Sequence, residues 1–289
     1  MRVAIIGANG QLAHDLGPAL TAAGHEVVGL THAQVEVADL NSVRGMLSSM
    51  KPQMVVNTAA YHKVDEVEDN PERAFAVNAT GPRNLALVCR ELNAPLVHLS
   101  TDYVFSGRKG EPYTEGDPVD PVNVYGVSKA AGEMLVRYLW PRHFIVRSSG
   151  LYGLAGSSGK GGNFVETMLR LAREGKAIRV VNDQTLTPTS TKALARQIVA
   201  LIGTDAYGTY HATCRGECTW HAFAAEIFRA SGLSPALSPQ TTAESGARAQ
   251  RPTYSVLTNG ALGALGLDQL PVWQDALRGY LSERAGAGR

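Results

Sequence analysis

The fold is decided near the N-terminus, by residues 2–13, which read RVAIIGANGQLA. The apolar run Arg2–Ile6 has the continuity of a strand that is buried on both faces, and Gly7 ends it. After the turn, Gln11–Ala23 carries apolar residues at helical spacing, and Gly24 closes that pattern. A buried strand, a glycine-rich turn and an amphipathic helix in this order predict the first unit of an α/β fold.

The same alternation continues to about residue 148. Further short apolar runs predict strands at Glu26–Leu30, Met54–Asn57, Leu96–Ser100 and Phe144–Ser148. Between them lie a helix predicted at Ser42–Met50 with Asn41 as its cap, and two stretches long enough for crossover helices, Pro71–Leu92 and Val122–Trp140. Strands that alternate with helices predict a Rossmann-like, doubly wound parallel sheet with helices on both faces.

Beyond residue 148 the alternation loosens. A glycine-rich passage at residues 150–162 is predicted to be a loop, and shorter elements follow it, including a strand at Thr209–Ala212. We therefore predict a dinucleotide-binding domain at residues 1–148 and a smaller C-terminal substrate-binding lobe at residues 149–289, whose segments are free to interleave with the first domain. The polar tail Ser282–Arg289 is predicted to be frayed.

Composition excludes several classes of protein. The 289 residues are 44% hydrophobic and 18% charged, which is typical of a folded globular chain. A formal net charge of +1 gives no general attraction to nucleic acid or to anionic membranes. No apolar run is long enough to span a membrane, and the N-terminus lacks a secretory signal, so we expect a cytoplasmic protein with reduced cysteines.

The glycine-rich turn predicts a cofactor site. Gly7 allows the tight turn, and Gly10 lets the backbone approach a pyrophosphate, while Gln11 and Leu12 begin a helix whose N–H groups face the same place. A generic strand-to-helix loop is the alternative, but the position of this turn after the first strand favours dinucleotide binding.

The residues that follow the second predicted strand indicate which dinucleotide binds. A carboxylate at the end of the second strand would hold the ribose of NAD, but here Thr31 and His32 follow that strand and the first acid is Glu36. We therefore predict NADPH as the cofactor, with NADH as an alternative. Asp39 and Leu40 are suited to contact the adenine.

Two further segments are predicted to line the cofactor crevice. Ala59, Ala60 and Tyr61 follow the third strand, and the small alanine side chains leave room for the middle of the cofactor. Asn78 is a candidate for hydrogen bonds near the nicotinamide, although an asparagine inside a helix with a local partner explains the residue equally well.

The strongest chemical signal is Tyr125 followed four residues later by Lys129. On a helix these side chains share one face, and an ammonium beside a phenol is expected to lower the pKa of the tyrosine. Tyr125 is then suited to give a proton to a carbonyl oxygen. Thr101, at the end of a predicted strand, is expected to donate to the same oxygen. Chance spacing and helix capping are the alternatives for these residues, but their combined placement favours catalysis.

At this point the chain resembles the dTDP-4-dehydrorhamnose reductase family of the extended short-chain dehydrogenase/reductases. The resemblance covers nearly the whole chain. It rests on Gly10-Gln11-Leu12, the segments 57–61, 100–107, 121–129 and 163–169, Val64-Asp65 with Glu68, and the stretch 181–184 with Pro188 and Thr189.

The resemblance implies that Thr101, Tyr125 and Lys129 are the catalytic residues and that Lys129 also holds the nicotinamide ribose. It implies reduction of the 4-keto group of a dTDP-4-keto-6-deoxy sugar. Asp102, Tyr103 and Asn163 are candidate substrate contacts. Related dehydratases carry a glutamate where this chain has Tyr103, which favours simple ketone reduction. The alternatives are another nucleotide-sugar reductase, an epimerase, or a non-catalytic NADP-binding regulatory subunit.

Two features depart from the family pattern. Reductases of the family often carry a tryptophan where this chain has Gly150, which removes a surface suited to sugar packing. Some members form dimers through a magnesium ion held by carboxylates. Asp15 matches one such ligand, but Lys192 falls where another acid is expected, so we predict no metal site. A homodimer remains one of the assemblies that the resemblance allows.

Overall fold

The computed structural model describes residues 1–156 and 162–286. Within them the strands are β1 Arg2–Ile6, β2 Glu26–Leu30, β3 Met54–Asn57, β4 Leu96–Thr101, β5 His143–Ser148, β6 Leu151–Tyr152, β7 Ile178–Val181, β8 Thr185–Leu186, β9 Thr189–Ser190, β10 Gly208–His211, β11 Cys218–Thr219 and β12 Leu237–Gln240. The helices are α1 Gln11–Ala22, α2 Leu40–Met50, α3 Val64–Glu68, α4 Pro71–Phe75, α5 Gly81–Leu92, α6 Val124–Leu139, α7 Phe164–Arg173, α8 Thr191–Ile202, α9 Trp220–Ala230, α10 Gly260–Ala264 and α11 Trp273–Gly286.

A six-stranded parallel sheet forms the centre of the molecule, with the strand order β10-β5-β4-β3-β1-β2. The chain winds outward from β1 in both directions, as the sequence predicted for a doubly wound fold. β3 and β5 are buried along their whole length, which explains why their central residues, Val55-Val56 and Phe144-Ile145-Val146, are apolar in succession instead of alternating with polar ones.

Helices cover both faces of this sheet. Leucines and isoleucines of α1 and α8 pack on one face, and apolar residues of α2, α5 and α6 pack on the other. A third apolar cluster joins β7, α7, α9 and α11 at the C-terminal side of the molecule. The sixth strand of the main sheet, β10, comes from beyond residue 148, and the division into domains at residue 148 stays a prediction. Among the described residues, no helix is long and apolar enough to cross a membrane.

Several local predictions were wrong. α2 begins at Leu40, and its cap is Asp39, whose side chain accepts a hydrogen bond from the Asn41 backbone N–H; Asn41 itself lies inside the helix. The tail is helical as far as Gly286, because Arg284 in α11 pairs with Glu166 in α7. Residues 157–161 of the predicted glycine-rich loop, and residues 287–289 of the tail, lie outside the described residues.

The crossover helix predicted at Pro71–Leu92 is interrupted by a π-helical turn at Ala76–Thr80. Pro82 has no N–H to donate to the carbonyl four residues earlier, which belongs to Asn78. That carbonyl points at Gly132 of α6, where an added Cβ would lie 2.2 Å from the Asn78 oxygen. The proline and the glycine together let α6 approach this turn closely, which places Tyr125 and Lys129 beside the crevice.

Candidate active site

The carboxyl ends of the central strands open into a cavity of about 950 Å³. This is the edge at which open α/β sheets bind ligands, because the chain leaves neighbouring strands there in opposite directions. The cavity wall contains thirteen of the sixteen predicted site residues: Gly7, Gly10, Gln11, Leu12, Ala59, Ala60, Tyr61, Thr101, Asp102, Tyr103, Tyr125, Lys129 and Asn163. Asp39, Leu40 and Asn78 are not part of the wall.

The glycine turn forms one end of the cavity. Gly7 has a φ of +81°, and a Cβ added to it would lie 2.9 Å from the Ala59 backbone nitrogen. The Gly10 N–H bonds to the Gly7 carbonyl at 2.9 Å, and α1 begins immediately afterwards with no side-chain cap. A Cβ at Gly10 would lie 3.1 Å from the Gly7 carbonyl oxygen, so side chains at these two positions would crowd the backbone of the turn. The turn therefore fits the pyrophosphate of a dinucleotide.

The segment after β2 forms the next part of the wall, through His32 and residues 35–38. The His32 imidazole lies 3.3 Å from the Glu36 carboxylate. Thr31 does not face the cavity, because its hydroxyl donates to Gln34. Of Thr31 and His32, the two residues after β2, only His32 lines the cavity, where it could contact the 2′-phosphate of NADPH. Glu36 is an acid in the wall to which the sequence analysis gave no role.

Asp39 and Leu40 follow directly on this part of the wall, and their contact with the adenine stays a prediction. Replacing Asp39 by serine should separate that contact from the capping role, because serine caps helices about as well as aspartate. We expect Asp39→Ser to change the free energy of unfolding by less than about 0.5 kcal/mol and to weaken NADPH binding by about 2- to 10-fold. Asp39→Ala, as the control, should in addition lose about 1 kcal/mol of stability. Fluorescence titration with unchanged NADPH affinity in both variants would exclude the adenine contact.

Asn78 lies behind the wall. Its side chain is fully buried, accepts a hydrogen bond from the Tyr61 N–H, and donates to the Tyr61 carbonyl and to the Ser128 hydroxyl. These contacts hold the Tyr61 backbone, and Tyr61 itself lines the cavity. The position of Asn78 near the nicotinamide stays a prediction, and its partners lie on other elements and not in its own helix.

Thr101, Tyr125 and the residues next to them meet at the centre of the cavity. Thr101 ends β4, and Tyr125 lies in the first turn of α6, whose N-terminus is capped by the Asn123 side chain. The Thr101 hydroxyl lies close enough to the Tyr125 hydroxyl to affect its pKa, and the Tyr103 ring stands edge-on to the Tyr125 ring at 5.8 Å between centroids. The predicted strand and helix thus bring these hydroxyls together.

The pKa values of Tyr125 and Lys129 differ from the sequence prediction. Burial raises the pKa of Tyr125, and the Thr101 hydroxyl opposes this shift. Lys129 is buried as well, and its ammonium donates to the Leu99 carbonyl at 2.6 Å. Burial lowers the pKa of Lys129 to about 8, with the Glu133 carboxylate opposing the shift. The predicted lowering of the Tyr125 pKa by Lys129 is therefore not found in this structure.

A buried ion pair between Glu133 and Arg147 lies close to Lys129. Glu133 follows Lys129 by one helical turn and accepts two hydrogen bonds from Arg147, at 2.9 and 2.7 Å. The Ser100 hydroxyl donates to the same carboxylate at 2.5 Å. Burial lowers the pKa of His211 to about 3, which leaves a neutral imidazole 3.3 Å from the Arg147 guanidinium. Sequence analysis missed this network, since only the tertiary structure shows that these charges are paired.

The opposite wall comes from the C-terminal half of the chain. Asn163 caps α7 and donates to the Gly153 carbonyl and, at 3.3 Å, to Gln11. Phe164 and Trp220 pack against each other with ring centroids 4.6 Å apart. Wall residues that the sequence analysis did not single out as site residues include Phe164, Gln184, Thr185, Leu186, Trp220, Pro252 and Ser255. The two half-buried aromatic residues are the signal that could have found this wall.

Gly150 is also part of this wall, and its backbone conformation and close neighbours favour a glycine. Its φ is +55°, and an added Cβ would lie 2.8 Å from Leu186 Cδ1 and 3.1 Å from the Pro188 Cα. The place beside residue 150 is therefore filled by Leu186, whose side chain supplies apolar surface to the cavity.

Replacing Gly150 by alanine should therefore cost more than the same change at a glycine with open surroundings. Gly175 has a φ of +66° and no atom within 4 Å of an added Cβ, so Gly175→Ala measures the backbone cost alone. We expect a loss of about 1 kcal/mol for Gly175→Ala and of about 2–4 kcal/mol for Gly150→Ala, measured by urea unfolding. Equal losses in the two variants would show that Leu186 and Pro188 move to accommodate the added Cβ without a measurable loss of stability.

Comparison with known proteins agrees with this geometry. The sequence matches the family described as RmlD substrate binding domain over residues 1–285. The chain belongs to this family. It is 42% identical to the spore coat polysaccharide biosynthesis protein SpsK of Bacillus subtilis, over 99% of each chain. It is 43% identical to a dTDP-4-dehydrorhamnose reductase of Streptomyces griseus, over 94% of this chain and 90% of that protein.

A solved structure is similar over nearly the whole length. The dTDP-4-dehydrorhamnose reductase of Bacillus anthracis, crystallised in complex with NADP, is 39% identical, with a TM-score of 0.93, over 98% of this chain and 99% of that chain. These findings confirm the family resemblance and the Rossmann-like fold. They do not bear on the individual site residues, which stay predictions supported by the geometry above.

The two residues considered for a metal site are otherwise engaged. The Asp15 carboxylate accepts a hydrogen bond from the Thr191 hydroxyl, and Lys192 pairs with Glu283 at 2.8 Å. In residues 1–156 and 162–286, no group of three or more His, Cys, Asp or Glu side chains is arranged to hold a metal ion.

Proposed function

We propose that this protein reduces the 4-keto group of a dTDP-4-keto-6-deoxy sugar with NADPH, converting dTDP-4-dehydro-L-rhamnose to dTDP-L-rhamnose. The observation that carries the proposal is one cavity that holds both the glycine turn before α1 and the hydroxyls of Thr101 and Tyr125. The relatives named as dTDP-4-dehydrorhamnose reductases, one of them in complex with NADP, support the same reaction and cofactor.

The cofactor is assigned to the wall from the glycine turn to Lys129. Gly7, Gly10, Gln11 and Leu12 would hold the pyrophosphate, residues 59–61 the middle of the molecule, and Lys129 the nicotinamide ribose. When bound, NADPH supplies the hydride for the ketone carbon.

Tyr125 supplies the proton in this mechanism. Its hydroxyl donates to the ketone oxygen as negative charge develops there, and Thr101 beside it stabilises the same oxygen. Burial raises the pKa of Tyr125, so the phenol keeps its proton at neutral pH. Transfer of that proton then depends on the negative charge that develops on the ketone oxygen as the hydride arrives. The opposite wall, with Phe164, Trp220 and Asn163, is assigned to the nucleotide sugar.

The test is turnover with a defined substrate. NADPH oxidation would be followed by its near-ultraviolet absorbance while dTDP-4-dehydro-L-rhamnose is generated in the cuvette by the preceding enzymes. Sugar-dependent oxidation and formation of dTDP-L-rhamnose are the expected results. NADPH binding without turnover on this or any related dTDP- or UDP-linked 4-keto sugar would instead favour the regulatory-subunit alternative.

The proposal also includes the location of the protein, its partners, the roles of its two regions and its assembly. We propose a cytoplasmic enzyme whose partner is its nucleotide-sugar substrate, with residues 1–148 mainly responsible for the cofactor and residues 149–289 for the sugar. A homodimer is the assembly to be tested, by light scattering coupled to gel filtration.

A further inference from the structure

The carboxylate of Asp102 lies at the centre of a set of hydroxyl groups. The side chain is 3% exposed, and both of its oxygens accept hydrogen bonds. Oδ1 accepts from the Thr101 hydroxyl at 3.0 Å, and Oδ2 accepts from the hydroxyls of Ser149 at 2.8 Å and Ser255 at 2.6 Å. The donors come from the end of β4, from the loop after β5 and from the C-terminal region, so one carboxylate ties together three separate parts of the chain.

Asp102 determines how Thr101 faces the cavity. A threonine hydroxyl has a single proton. In this structure that proton is directed to Asp102, and it has to turn to the ketone oxygen when the substrate is bound. The Thr101 oxygen accepts a hydrogen bond from the Tyr103 N–H at 3.2 Å and lies near the Tyr125 hydroxyl. The orientation of the Thr101 side chain therefore depends on Asp102, the residue that follows it in the chain.

Ser255 is held firmly in place to make its contact. Its N–H donates to the Thr185 carbonyl at 2.8 Å. Two residues earlier, the Thr253 hydroxyl donates to the Gly107 carbonyl at 2.9 Å, and a Cβ at Gly107 would lie 2.6 Å from the Thr253 nitrogen. The segment around Ser255 is thus seated tightly on the loop that follows Asp102, and the hydroxyl has little freedom to move away.

We propose that Asp102 is a positioning residue for Thr101, held in place by Ser149 and Ser255, and not a direct contact of the substrate. The inference rests on the proposed reduction, because Thr101 acts there on the ketone oxygen. Both carboxylate oxygens are already engaged inside the protein, which argues against the substrate contact expected from the sequence. Misplacement of Thr101 lowers the rate of the chemical step, whereas loss of a substrate contact weakens substrate binding.

The experiment compares kcat and KM in single variants. Asp102→Asn is expected to lower kcat about 100-fold, and Ser255→Ala about 10-fold, with KM for sugar and NADPH close to the wild-type values. Ser255→Thr keeps the hydroxyl and should restore most of kcat. Ser190→Ala is the matched control, because Ser190 is a buried serine outside the cavity wall. Thermal unfolding and NADPH affinity establish that each variant is folded.

Three outcomes would overturn the proposal. An increase in KM for the sugar at unchanged kcat in Asp102→Asn would make Asp102 a substrate contact. A Ser255→Ala variant that behaves like Ser190→Ala, or a Ser255→Thr variant that is as slow as Ser255→Ala, would remove the role of the Ser255 hydroxyl.

Failure of the proposed function would be seen separately, as absence of turnover by the wild type. The positioning role is then judged from crystal structures of the wild type and of Asp102→Asn without substrate. A Thr101 side chain that rotates away from Tyr125 in the variant supports the role, and an unchanged rotamer contradicts it.

Discussion

Tyr125→Phe is expected to lower kcat about 100- to 10,000-fold, because it removes the group that donates a proton to the ketone oxygen. The phenylalanine ring preserves the edge contact with Tyr103, so the fold and the affinity for NADPH should remain close to those of the wild type. Initial rates with the dTDP-4-keto sugar and fluorescence titration with NADPH would measure the two effects.

Tyr138→Phe is a matched control for this variant. Tyr138 lies on the same helix as Tyr125, but it is 85% exposed and faces away from the cavity wall. Its substitution should leave kcat unchanged. If Tyr125→Phe kept more than about a tenth of the wild-type kcat, another group would have to supply the proton, and the assignment of Tyr125 would be wrong.

The sequence was sufficient to predict the strands of the central sheet. Arg2–Ile6, Glu26–Leu30 and Met54–Asn57 are strands with the predicted ends, because strands of a parallel sheet covered by helices carry runs of successive apolar residues. The glycine turn and the Tyr125–Lys129 spacing were also informative, since their geometry depends on neighbouring residues in the chain. Local patterns of this kind can be read without knowledge of the tertiary structure.

Contacts between distant segments could not be predicted in this way. Asp102 meets Ser255 across 153 positions of sequence, and Asn78 meets Ser128 across 50. The environment of Lys129 is a further example. The helical spacing places its ammonium near Tyr125, but burial and the Leu99 carbonyl, which decide its pKa, follow from how α6 packs on β4.

That burial makes Lys129→Met informative for catalysis. The ammonium is proposed to hold the nicotinamide ribose, and a hydrogen bond from a charged donor contributes about 1.5–3 kcal/mol. We therefore expect Lys129→Met to lower kcat/KM for NADPH roughly 10- to 100-fold. Lys176→Met, at an exposed lysine whose side chain is 60% accessible, should leave kcat/KM unchanged. A Lys129→Met variant with wild-type kcat/KM would exclude the ribose contact.

The same substitution should change how stability depends on pH. The pKa of Lys129 is about 8 in the folded protein and lies near its model value of 10.5 in the unfolded chain. Between these values the unfolded state binds more protons, so the free energy of unfolding rises with pH, by about 3 kcal/mol in total. Below pH 8 both states are protonated, and the folded state carries the full cost of burying the ammonium.

Lys129→Met lacks this titration, so the wild type should gain stability relative to the variant as the pH rises from about 8 to 10.5. Urea unfolding at several pH values in this interval would measure the gain, with Lys176→Met as the reference for all other titrating groups. A constant difference between wild type and Lys129→Met would mean that Lys129 keeps an ordinary pKa in the folded protein, and that solvent reaches its ammonium. Water in the cavity would then solvate the Lys129 ammonium, and burial would not lower its pKa.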